Sequence, residues 1–148
     1  MIFRAPEFVK VGMKDPTFTT RTDGAYLPQV PYGGTGGVLR YKQGQFVAAF
    51  VHRVDYISSP LHAELLAVKQ GMQLLQSMQV ASAVIESDCQ VAVTAITSIR
   101  LRFVRRQANT VAHRLASQGF ESNINHEWFV NAPEIILDAL MYDSNRIH

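Results

Sequence analysis

Ser59-Pro60 opens the longest amphipathic stretch of the chain, and what surrounds it fixes the class of fold. Serine can cap a helix and proline suits its first position. Leu61, Leu65, Val68, Met72 and Leu75 then form one apolar stripe, with Lys69 and Gln70 opposite, so the spacing predicts a helix ending near Met78. Three strand-like runs precede it. Thr17–Thr22 is rich in β-branched residues and leads into Asp23-Gly24 as a turn; Gly37–Tyr41 and Gln45–His52 flank Lys42-Gln43-Gly44, where Gly44 supplies the positive φ of a hairpin. Pro28–Gly37, with its glycine cluster from Gly33 to Gly37, reads as a loop; it lacks the lysine of a phosphate cradle and precedes a strand.

After the long helix the pattern alternates. Val80–Ile85 is a short buried strand, Val91–Ile99 a brief helix and Leu101–Val104 another strand. Asn109 is expected to cap a helix through Ser117 that Gly119 stops, and a last helix runs from about Pro133 to Tyr142. The order βββ-α-β-α-β-α, with one further helix, calls for a mixed sheet with helices on its faces. Residues 1–16, which lack periodicity, read as a poorly ordered arm, and 17–148 as one domain.

Composition excludes several classes. A hydrophobic share of 47% with 18% charged residues is incompatible with wholesale disorder. The net charge of +2 permits a nucleic-acid partner without requiring one. The single cysteine, Cys89, rules out an internal disulfide and reads as a small packing residue. No run approaches about 18 apolar residues, so no membrane helix is expected. The start of the chain lacks a secretory signal, and an intracellular protein is expected, nucleus or cytoplasm left open.

Three carboxylates stand out by position. Asp23 follows the first strand and Asp88 the strand Val80–Ile85; if these strands are parallel neighbours, both side chains emerge at one carboxyl edge. Glu64 lies about 60° from Leu61 and about 40° from Val68 around the helix, at the margin of the apolar stripe. A carboxylate there is costly unless a cation or metal compensates it.

The runs around these residues are Thr22-Asp-Gly-Ala25, Gly36-Gly-Val-Leu-Arg40, Ser59-Pro-Leu-His-Ala-Glu-Leu-Leu-Ala67 and Val84-Ile-Glu-Ser-Asp88. Val104-Arg-Arg-Gln-Ala-Asn-Thr-Val-Ala-His-Arg-Leu-Ala116 follows, and then Trp128, Pro133-Glu-Ile-Ile136, Leu140 and Asp143. In order and content they closely resemble the motifs of the plant-type ribonuclease H-like domain, a reverse-transcriptase-like and retroelement-associated family, from about Thr17 to Asp143. The resemblance implies a five-stranded mixed sheet flanked by helices and hydrolysis of RNA paired to DNA. It implies that Asp23, Glu64 and Asp88 hold two Mg²⁺ ions, with Mn²⁺ able to substitute. Hard cations suit clustered carboxylates, and a metal pair suits phosphodiester hydrolysis.

Two departures from that pattern matter. The fourth acidic ligand of active members falls at His113, in Asn109-Thr-Val-Ala-His113. Imidazole there brings no negative charge and is a softer ligand, so weaker occupancy of the second metal and a preference for Mn²⁺ are expected. Fifteen positions separate Asp88 from Phe103, close to the dozen or so residues that a parallel crossover needs. This shortened crossover implies less helical cover, lower stability and self-association through an uncovered sheet face.

Arg100, Arg102, Arg105, Arg106 and Arg114 concentrate positive charge near His113. Arg105, Arg106 and Asn109, at a helix start, and Ser58 and Ser59, at the mouth of the Glu64 helix, are the expected contacts to nucleic-acid phosphate or sugar. None of the other histidines has metal-ligand spacing beside a cysteine, so no zinc site is expected. Two functions fit: a metal-dependent endonuclease acting on RNA·DNA hybrids, or a catalytically impaired nucleic-acid-binding remnant that keeps the fold.

Overall fold

The structure, a computed structural model, describes residues 18–41, 44–80, 83–89, 101–103 and 109–146. The expected arm, the helix Val91–Ile99 and the pair Arg105-Arg106 lie outside the described residues, as does the crossover on which the expected self-association depends. No helix among the described residues is long and apolar enough to cross a membrane.

The chain opens with β1 (Phe18–Tyr26), β2 (Tyr32–Tyr41) and β3 (Phe46–Asp55), followed by helix α1 (Pro60–Ser77). Strand β4 (Ala83–Ser87), strand β5 (Leu101–Phe103) and helix α2 (Thr110–Ser122) come next, and then β6 (His126–Phe129). A 3₁₀ turn at Glu134–Ile136 leads into α3 (Leu137–Arg146). The sheet order is β5-β4-β1-β2-β3-β6. The three opening strands are antiparallel, whereas β4 joins β1, and β5 joins β4, in parallel. Strands β1 to β5 thus form the five-stranded mixed sheet that the resemblance leads one to expect. A sixth strand, β6, adds an antiparallel edge against Ala48–Val51.

Alternation along the strands divides the interior into two layers. Phe18, Leu39, Tyr41, Val47 and Phe50 face α1 and pack with Val68, Leu74, Leu75 and Met78. Val38 and Ala49 face the other way, toward Val111 and Leu115 of α2 and toward Ile136, Ala139 and Leu140. Each layer seals one sheet face, the usual solution for a half-apolar sheet.

The glycine cluster is not a loop. Gly33, Gly34, Gly36 and Gly37 all belong to β2, and β1 runs on past Asp23 to pair with them, Asp23 opposite Gly36 and Ala25 opposite Gly34. A side chain on Gly34 would strike the backbone of Ala116 and Phe120, and one on Gly36 the backbone of Ala116 and the Leu115 Cβ. Helix α2 therefore lies directly on the β2 backbone, a close approach that only glycine allows. Gly119 likewise does not stop α2: its missing Cβ makes room for the His52 carbonyl. The helix ends instead at Asn123, in the left-handed conformation at φ 48°. Gly44, at φ 93°, closes the β2–β3 hairpin as expected.

Helix α1 begins as the sequence predicts, the Ser59 hydroxyl accepting from the His62 N–H at 3.0 Å with Pro60 following. Its buried face is rotated from the expected stripe. Ala63, Glu64, Ala67, Gly71, Leu74 and Leu75 are buried, while Leu61, Leu65 and Met72 are only half-buried. Small residues set this rotation, because Ala63 lies against Gly24, and Gly71 against the methyls of Thr20 and Thr22. Glu64 thus sits inside the buried face rather than at its margin.

Candidate metal centre

Parallel pairing of β1 with β4 brings Thr22 opposite Ser87. One residue further along each strand direction stand Asp23 and Asp88. Glu64 reaches the same point from the second turn of α1, whose start is drawn against β1 by the Ala63–Gly24 contact. Ligand oxygens from Asp23, Glu64 and Asp88 all lie within 4.8 Å of one another.

Burial makes this grouping costly. Asp23 is 1% exposed and Glu64 8%. Oδ1 of Asp23 and Oε2 of Glu64 are buried and accept no hydrogen bond. Desolvation, reinforced by the charges of Asp23 and Asp88, pushes the Glu64 carboxyl up to about 10, against a smaller opposing pull from the Gly24 backbone. A carboxyl in that state holds a proton at neutral pH unless a cation displaces it. Three clustered carboxylates, of which Asp23 and Glu64 each carry an orphaned buried oxygen, fit a hard divalent ion.

The neighbouring carboxylate of the Val84–Asp88 run has a different fate. Glu86, 2% exposed, pairs in register with Arg21, whose Nε lies 3.3 Å from Oε1. This ion pair stands two residues behind Asp23 and Asp88 on both strands, so it braces the pair of strands that carries them. Only the register, unavailable from composition, could have separated Glu86 from the acidic cluster.

His113 lies on α2, with Nδ1 2.8 Å from Oδ2 of Asp23 and its side chain 48% exposed. Its nitrogens are not among the ligand atoms of the three-carboxylate set. Asn109 holds the same helix to β1: its side-chain amide donates to the Thr22 carbonyl at 2.9 Å. This corrects two expectations. Asn109 makes no side-chain cap, and at 0% exposure its side chain is closed to a nucleic acid.

The remaining expected contacts divide. Ser59 is engaged in capping, whereas Ser58 is exposed, with its backbone N–H donating to Nδ1 of His62 at 3.1 Å. Arg114 turns away toward α3, bonding Asp138 at 2.5 Å and the Ile135 carbonyl at 3.2 Å. That guanidinium holds the Asp138 carboxyl below its ordinary range. A groove of about 350 Å³ opens beside Glu64 and His113, bordered by Tyr26, Leu27, Pro60 and Phe120. A larger cavity of about 550 Å³, between β3, β6 and the second half of α1, contains none of the three carboxylates.

Residues 21–100 match the family model described as reverse transcriptase-like. Among solved structures, the chain is similar to the N-terminal RNase H domain of Rv2228c from Mycobacterium tuberculosis, solved as a fusion with maltose-binding protein. That likeness has 16% identity and a TM-score of 0.62, over 73% of this chain and 96% of that one. It is also similar to LC11-RNase H1 in complex with an RNA/DNA hybrid, at 15% identity and a TM-score of 0.61, over 70% and 96%. A third likeness is to LC9-RNase H1, a type 1 RNase H with the type 2 active-site motif, at 12% identity and a TM-score of 0.63, over 91% and 86%. At these identities the solved structures speak for the fold alone. No curated protein sequence matches significantly.

Proposed function

Because this chain belongs to the reverse transcriptase-like family and has a ribonuclease H fold, we propose that it is a divalent-metal-dependent endonuclease cutting RNA in RNA·DNA hybrids. The observation that carries this reading is the approach of ligand oxygens from Asp23, Glu64 and Asp88 to within 4.8 Å of one another, with Oδ1 of Asp23 and Oε2 of Glu64 buried and lacking donors. These three would hold Mg²⁺, as two ions, with Mn²⁺ as a substitute. Bound cations would supply the charge that activates the attacking water and neutralises the leaving 3′ oxygen.

The chain's own contribution is placement. Strands β1 and β4 fix Asp23 and Asp88 through a shared ladder, and α1 delivers Glu64 into an apolar layer where charge interactions are strong. The groove beside His113 gives a phosphodiester room to approach Glu64, the one member of the three carboxylates that borders it. Ser58, exposed at the start of α1, and Arg105 and Arg106 supply phosphate contacts in this reading. Backbone contacts of that kind predict binding without sequence preference that falls steeply with salt.

The test is cleavage of an RNA·DNA hybrid labelled on either strand, with Mg²⁺ or Mn²⁺ present. We expect the RNA strand alone to be cut, EDTA to stop the reaction, and Asp23→Asn to slow it on the order of a thousandfold, the scale on which losing a transition-state charge stabiliser acts. Cleavage that survives both EDTA and Asp23→Asn would refute the mechanism. Hybrid binding with no cleavage by the native chain would instead identify the non-catalytic remnant.

A further inference from the structure

We propose that His113 is a positioning residue which holds Asp23 by a hydrogen bond from Nδ1 and leaves the cations to Asp23, Glu64 and Asp88. The proposal rests on the metal-centre reading and assigns His113 a place within it other than that of a fourth ligand.

Geometry separates the two roles. Nδ1 lies 2.8 Å from Oδ2 of Asp23. With that carboxylate ionised, the nitrogen must bring a proton to the bond, so it has no lone pair for a metal. Neither ring nitrogen belongs to the set of ligand atoms lying within 4.8 Å of one another. The bond occupies one Asp23 oxygen and leaves Oδ1, buried and without a donor, to face an ion. Metal centres commonly use a carboxylate to orient a histidine ligand. Here the order is reversed, with histidine orienting the carboxylate.

The support for His113 is rigid. Asn109, one turn earlier, bonds the Thr22 carbonyl, the residue just before Asp23. Gly34 and Gly36 let the body of α2 rest on the β2 backbone opposite Asp23. An aspartate at position 113 would set a second negative charge against Oδ2, whereas an imidazole N–H meets it with a donor. The departure from the family pattern therefore replaces a ligand with a brace.

Calorimetric titration of the whole chain with Mn²⁺ alone, comparing native protein with His113→Ala and His113→Asn, tests this. The amide of asparagine can reach the place of Nδ1 and cannot reproduce the ring's far nitrogen. His113→Ala should weaken Mn²⁺ binding by about 10- to 100-fold, the usual cost of losing an orienting partner, and His113→Asn should recover it to within about threefold of native. Equal losses in both variants, or none in His113→Ala, overturn the proposal.

Long-range ¹H–¹⁵N spectra give a second reading. A proton on Nδ1 in the metal-free chain, with Nε2 unmoved at saturating Mg²⁺, is the expected result, while a large Nε2 displacement would make His113 a ligand. Glu64→Gln combined with Asp88→Asn serves as the control. Native-like Mn²⁺ affinity in that double variant removes the carboxylate centre itself. Affinity lost there but intact in His113→Ala removes only the role of His113.

Discussion

Gly36→Ala should destabilise the protein by at least about 3 kcal/mol, lowering the melting temperature by roughly 8 °C or more, although it adds a single methyl. The added carbon would fall 2.5 Å from the Leu115 Cβ and closer still to the Ala116 backbone nitrogen. Backbone cannot swing aside as a side chain can, so α2 must lift from β2. Lifting it strains the Asn109–Thr22 and His113–Asp23 bonds that start from the same helix. Gly71→Ala is the matched control. Its new methyl would meet only the Thr22 and Thr20 Cγ2 methyls, at 3.0 and 3.4 Å. The helix gains about 1 kcal/mol of intrinsic preference from the exchange, so the net change should stay within about 1 kcal/mol of native. Thermal melts of both variants decide the matter. A Gly36→Ala protein that melts within about 3 °C of native would mean that α2 does not rest on β2 as described.

Metal-free protein should lose stability as the pH rises from about 5 to about 9, and Glu64→Gln should abolish that slope. Burial first, and the charges of Asp23 and Asp88 after it, raise the Glu64 carboxyl from its ordinary 4.5 to about 10. Between these values the folded chain keeps a proton that the unfolded chain has released. Stability from this group is therefore complete below the unfolded value and drains away toward the folded one, by about 1 kcal/mol per pH unit. From pH 6 to pH 8 the melting temperature should fall by roughly 4–8 °C.

A divalent ion reverses the dependence, because binding expels the proton and unites the three carboxylates around a positive charge. The rise in melting temperature on adding Mn²⁺ should consequently be larger at pH 8 than at pH 6. Melts across this range, with and without Mn²⁺, check both halves. A metal-free profile that is flat or rising in native protein, and the same in Glu64→Gln, would show that Glu64 is not held among like charges.

The acidic residues were legible because their local runs are distinctive and their strand positions implied a common edge. That edge depends on β1 and β4 being parallel, and the register bears it out. What sequence could not convey was how closely the layers approach. Glycine in a run ordinarily signals a turn, so Gly33–Gly37 read as a loop, when the bare backbone at Gly34 and Gly36 serves a helix lying on a strand. The same closeness rotates α1, since Ala63, Ala67 and Gly71 rather than the larger Leu61 and Leu65 meet the sheet. Strand β6 escaped notice because it is short and gains its identity from pairing with Ala48–Val51, far away in the chain. Asn109 has a capping residue's position, yet its side chain turns inward to β1, a choice made by tertiary contact rather than by local preference.

Crystals of the native chain soaked in Mn²⁺, with an anomalous difference map, test the shared cation site most directly. We expect anomalous density among the Asp23, Glu64 and Asp88 carboxylates, with His113 still bonded to Asp23. Saturating Mn²⁺ that leaves this position without density, or that binds only at other carboxylates, would contradict the account.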